Sequence, residues 1–164
     1  MSASVVNQLG GQTGNLPFTA SVQVQPSNPT APASTGAYKM QGLGASAVIT
    51  PTRSGKIIVT FSGTVISPAG TAAGNGLGYQ ISYGTGTAPA NAAALTGTQV
   101  GTIQSWVNPT TVVAADVFVP FSTTAIITGL TVGTTYWLDL AAESVGTASD
   151  MGLSTVSVSA AEFG

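Results

Sequence analysis

The sequence predicts an all-β protein, a two-sheet antiparallel β-sandwich carrying an extended N-terminal arm. Three observations lead there. Apolar and polar residues alternate with a period of two in run after run, and β-branched side chains dominate those runs, as suits a pleated, half-buried surface. Clusters rich in Gly, Pro, Asn and Ser separate the runs. No stretch shows an amphipathic 3.6-residue period, and at 164 residues the chain is sized for one domain.

The elements follow in order. Residues 1–40 are turn- and linker-rich, with "GGQTGN" and the proline-spaced "QPSNPTAPAST". Within them "LPFTASVQVQ" offers one short strand, and Leu16, Phe18, Val22 and Val24 give the arm apolar side chains with which to dock. The sandwich is expected over residues 41–164. "SAVITP" opens it. "GKIIVTFSGTV" sets Ile57, Val59, Phe61 and Val65 on one face. "LGYQISYG" alternates strictly, with Leu77, Tyr79, Ile81 and Tyr83 inward and Gly78, Gln80 and Ser82 outward. "TQVGTIQSWV" is a weaker strand. "TVVAADVFVPF" reads as a strand with Val113, Ala115, Val117, Val119 and Phe121 on its inner face, which puts Val112 and Phe118 outward beside Asp116. "TTAIITGL", "TTYWLDLAAES" and "LSTVSVSAAEF" complete a set of about eight. "APANAAALTG" is confined by Pro89 and Gly97 to one helical turn at most.

Composition excludes several roles. The chain has no Cys and no His, which removes disulfides, thiolate metal sites and the commonest general base. Three cations cannot build the basic stripe that nucleic acid or an anionic membrane requires. No apolar run reaches the roughly 20 residues of a spanning helix. The start lacks the cationic and apolar segments of a secretion signal, which predicts a protein made in a cytoplasm and used there or released by lysis. Charged residues are 5% of the chain, against about 25% in ordinary domains. A surface so poor in charge is expected to be covered by other subunits.

No catalytic, cofactor or metal site is expected. Asp139 and Glu143 share one face of a strand, roughly 13 Å apart, too far for the carboxylate pair of a glycosidase at about 5–9.5 Å; they are expected to be solvated. Serines have no histidine partner, no "GxSxG" occurs, and the Gly84–Gly86 pair follows a strand without the helix a phosphate loop needs. Large apolar residues on outward parity are candidate interface anchors. Trp137 shares its face with the two carboxylates, Trp106 ends its strand before "NPT", and Val112 and Phe118 flank Asp116.

Two resemblances add to this. "ITGLTVGTTYWLDLAA" resembles the E–F corner of fibronectin type III domains through Gly129, Leu130, Gly133, Thr134 and Tyr136, which implies a tyrosine hydrogen-bonded to the backbone of its own turn. "MQGLGASAVITPTRSGKIIVTFSGTV", "YGTGTAPANAAALTGTQVGT", "PFSTTAIITGLTVGTTYWLDLAA" and "STVSVSAAEF" resemble small virion proteins and fibre-tip domains of tailed bacteriophages. That resemblance implies a jelly-roll-like sandwich, with the immunoglobulin or fibronectin III topology as the alternative that alternating strands fit equally well. It implies a capsid decoration (cement) protein rather than an enzyme, needing no cofactor. Its partners would be the major capsid protein and copies of itself, as a trimer or another homo-oligomer, in a virion assembled in the host bacterial cytoplasm. The alternative is a fibre or head-fibre domain that binds a host-surface glycan or protein. In that case Trp106, Trp137 and Tyr83 would form the sugar platform.

Overall fold

The computed structural model describes residues 20–29, 36–113, 115–147 and 151–164. Among them are nine strands: β1 (Ser21–Val24), β2 (Lys39–Met40), β3 (Val48–Ile49), β4 (Ile57–Ser67), β5 (Gly76–Thr85), β6 (Thr98–Val107), β7 (Val117–Ile127), β8 (Tyr136–Val145) and β9 (Gly152–Glu162). The predicted all-β sandwich is what forms. One sheet runs β1-β9-β4-β7; the other runs β2-β8-β5-β6, with β3 also on β8. Every pairing is antiparallel.

The connectivity decides between the two topologies. β1 pairs with β9, β2 and β3 with β8, β4 with β7, and β5 with β6. The chain is therefore one long hairpin with its tip between β5 and β6, rolled so that successive pairs fall in alternate sheets. This is the double-sheet jelly roll. The fibronectin-like corner forms within it: the Tyr136 hydroxyl accepts the Thr131 N–H at 3.0 Å. Local wording thus specifies a turn without specifying the topology around it.

β2 and β3 are two halves of one interrupted strand. Gln41 N–H reaches the Leu140 carbonyl and Leu138 N–H reaches the Ala47 carbonyl, so residues 42–46 bulge out between them as a 3-10 turn over Leu43–Ala45. The inner faces alternate as expected. Ile57, Val59, Phe61, Val156 and Val158 of one sheet meet Leu77, Ile81, Leu138 and Leu140 of the other, all essentially without solvent exposure. Tyr79 and Phe121 join the sheets with ring centroids 4.9 Å apart, a tilted arrangement favoured by the ring quadrupoles.

β7 begins at Val117, so the period-two reading does not extend back to residue 112. Val113, expected inward, lies in the preceding loop with 87% of its surface exposed, and Val112, expected outward, is buried. The alanines of "APANAAALTG" form a turn rather than helix, with Ala92 at φ 66°.

Candidate interaction surface

The two outer faces of the sandwich differ in kind. The outer face of β8 and β5 is covered by the chain itself. The segment around Tyr38–Ala47 and the β5–β6 connection lie over it, stitched together by Met40 N–H to the Ala93 carbonyl (2.9 Å), Ala92 N–H to the Met40 carbonyl (2.8 Å) and Asn91 Nδ2 to the Gln41 carbonyl (3.1 Å). Beneath them Met40, Trp137 and Ala141 form a second, small core. Trp137 is 4% exposed, and its indole N–H donates to the Thr85 carbonyl at 3.2 Å. Gly84 and Gly97 make this possible: a Cβ at either would stand 2.4 Å from the indole ring. The exposed anchor expected at Trp137 is corrected accordingly: outward parity on β8 means burial under the chain's own loops.

The same covering corrects Asp139, expected to be solvated and in fact fully buried. Its carboxylate accepts the N–H groups of Gly42 (3.0 Å), Leu43 (3.0 Å) and Leu140 (2.7 Å). It thereby satisfies the donors that the bulge in the interrupted strand removes from the ladder. Burial pushes its pKa up to about 6, with backbone N–H groups pulling the other way. Glu143 is half-buried beside Tyr38, whose phenol is pushed up to about 12 by burial and by the Glu143 carboxylate.

Glu162 holds the opposite end of the fold. It continues the inward parity of Val158 and Ala160 and is fully buried. Four consecutive N–H groups converge on its carboxylate, from Thr52 (2.7 Å), Arg53 (2.8 Å), Ser54 (2.6 Å) and Gly55 (3.1 Å), joined by the Thr52 and Ser54 hydroxyls. Successive backbone N–H groups curled in this way form an anion nest, and here the anion is the chain's own side chain. Asp116 accepts the Ala69 N–H at 3.0 Å. These carboxylates tie loops to strands; no two of them converge on a common cleft.

Among the described residues nothing covers the outer face of β4 and β7. Registered pairs cross it in sequence: Ile58 with Ile126, Thr60 with Thr124, Ser62 with Ser122, Thr64 with Pro120, and Ile66 with Phe118. β9 continues the rows with Ala161, Ser159, Ser157 and Ser154, and β1 with Ser21 and Gln23. No charged side chain stands in these rows. Phe118 is 61% and Ile126 56% exposed. Hydroxyls on the face bond to one another, Thr60 to Thr124 at 2.9 Å and Thr64 to Thr155 at 3.2 Å. Thr155 sits at φ 49° in a β-bulge opposite Gly63, and its N–H donates to Asn28 Oδ1 at 2.7 Å.

At the Phe118 end, Trp106, Asn108, Val112, Val113 and Val117 help line an open hollow of about 460 Å³. The structure therefore brings Trp106 and Val112 together, with Phe118 following Val117 on the adjoining face. Val22 and Val24 pack against the main core from β1, and so does the half-buried Trp106. Leu16 and Phe18 lie outside the described residues. Ile58, Ile66 and Ile126 escaped the sequence reading, although the alternation that put their neighbours inward also marks them as large apolar residues facing out.

No family model matches the chain, and neither does any curated protein. Solved structures similar to it include "Structure of infectious bursal disease virus Gx strain" (14% identity, TM-score 0.46, 90% of this chain and 33% of that one). Others are "Crystal structure of dimeric latent PorU from Porphyromonas gingivalis" (12%, 0.41, 91% and 13%) and "Structure of Eiger TNF from S. frugiperda" (14%, 0.35, 91% and 94%). The chain spans a third of the first structure's length and less of the second's. At these scores no functional residue is carried over from any of them.

Proposed function

We propose that this chain is a structural β-sandwich protein of a virion, a decoration protein that associates with copies of itself and bridges capsomers of a bacteriophage head. One observation carries the reading: the outer rows from Ile58–Ile126 to Ile66–Phe118 hold no charge and are left uncovered by the described residues, while the opposite face is covered by the chain's own loops over β8 and β5 and open at β6. Soluble domains protect such faces with scattered charge, and a face without it suits permanent contact with another chain. The resemblance of residues 40–163 to small virion proteins of tailed phages supplies the context. Under this reading the work is mechanical: burial of apolar surface at about 25 cal/mol per Å² across several subunits holds the shell together. The glycan-binding alternative loses one of its three platform residues, because Trp137 is packed against the Thr85 carbonyl and two glycines and cannot stack on a sugar.

The test is to incubate the purified chain with phage heads lacking it. Saturable binding at a copy number set by lattice symmetry, with heads made more resistant to heat or chelator, is the expected result. Absence of binding to heads, together with sugar-competed binding to host cells, rejects the proposal.

A further inference from the structure

We infer that two copies of the chain pair face to face through the β1-β9-β4-β7 sheet, about a two-fold axis that runs along the Ser62–Ser122 row. This deepens the self-association half of the reading above and rests on the face described there.

Four observations support a second copy as the occupant. First, the β4–β7 rows are close to palindromic: an apolar pair (Ile58, Ile126), a hydroxyl pair, the central serines, a Thr–Pro pair, and a second apolar pair (Ile66, Phe118). Rotation about the central row lays each apolar end on the apolar end of the other copy. This is the self-complementarity an isologous contact requires. Second, the rows from Ile58 to Ile66 hold no charge with which to meet a charged partner; the exposed Lys56 and Asp116 lie beyond their ends. An ion buried against these rows would lose its hydration with no counter-charge to meet it, whereas a copy brings no ion there. Third, Thr60 bonds to Thr124 and Thr64 to Thr155 within the face, and the axis sets the hydroxyls of Ser62, Ser122 and Ser157 opposite their own counterparts, which can satisfy them on drying. Fourth, the area is of the right order. The three strands that run the full length of the rows, at about 4.8 Å each, and the eight steps from Ile58 to Ile66 at about 3.3 Å give about 380 Å² per copy, or about 760 Å² of flat area for the pair, which side-chain relief brings toward the roughly 1,000 Å² of a specific interface. Pro120, on the free edge of β7, has no N–H to donate to an added strand, which favours contact through the face over contact through that edge.

The test uses the isolated chain, without phage heads, so its outcome is independent of capsid attachment. Sedimentation equilibrium of the wild type is expected to give the mass of two chains. On the proposed axis Ser122 faces itself. Ser122→Lys and Ser122→Glu should therefore each sediment as monomers with unchanged circular dichroism, and a one-to-one mixture of them should regain the doubled mass. Ser157, in the same row, provides the same pair of variants if those at Ser122 do not fold. Val132→Lys, on the exposed turn before β8, should leave the mass of two chains intact. A monomeric wild type, a trimer, a Ser122→Lys variant that still pairs with itself, or a mixture that stays monomeric overturns the inference.

Discussion

Two carboxylates show how a chain with almost no ions uses the few it has. Glu162 fills a nest of four backbone N–H groups and two hydroxyls, at the point where β9 ends against the loop before β4. Truncation to Ala would orphan those donors in the interior, where each unmade bond to a charged group costs about 1.5–3 kcal/mol. Glu162→Ala should lower unfolding free energy in urea by about 3 kcal/mol or more, and Glu162→Gln by less, because one acceptor oxygen survives. Asp139 works differently. Its folded pKa, about 6, lies above its ordinary value of 3.8. Between those two values the folded chain therefore binds more protons than the unfolded chain. Its contribution to stability is largest below the unfolded pKa, falls as pH rises from about 4 to 6, and is lost above that. The change is about 3 kcal/mol at most. Urea titrations across this range should show that decline in the wild type and a flatter profile in Asp139→Asn.

At the scale of the element, alternation in the sequence was a sound guide to the inner faces and a poor one to the outer faces. Ile57, Val59 and Phe61, or Leu138 and Leu140, are inward because period-two patterning follows from strand geometry. The same patterning marks Trp137 and Asp139 as outward but is silent on what lies above them. Their burial depends on connections whose path is set by long-range contacts, such as Ala92 and Ala93 against Met40. Val112 and Val113 were misplaced for a related reason: their valines continue the alternation past the point where β7's pairing with β4 stops, at Ser67–Val117. The tyrosine corner was legible because it is local, a turn closed within six residues. Tyr136→Phe keeps the ring and removes only the hydroxyl that accepts Thr131 N–H. It should cost about 1 kcal/mol in equilibrium unfolding without altering the far-ultraviolet dichroism. A loss of fold on this substitution would mean that the corner organises β7 and β8 rather than merely closing the turn between them.

For the whole molecule, the distribution of charge makes a prediction about how its contacts respond to salt. The net charge is −2, from three cations and five carboxylates. Two of those carboxylates are buried as loop ties, and none stands in the rows of the bare face. Contacts that depend on surface charges weaken as the screening length contracts from about 10 Å at 0.1 M salt to about 3 Å at 1 M. Contacts made by apolar ends and paired hydroxyls have no such dependence, and excluded salts such as sulfate strengthen them. Self-association of the chain, and its proposed attachment to phage heads, should therefore change less than about twofold between low and high sodium chloride and tighten in ammonium sulfate. Sedimentation across a salt series measures the first, and head-bound copy number measures the second. A tenfold loss of self-association in sodium chloride would place the contact at the few charged positions, away from the β4–β7 face. A salt-insensitive pair that nonetheless leaves heads undecorated would keep the face as a contact between copies and remove the capsid from the proposal.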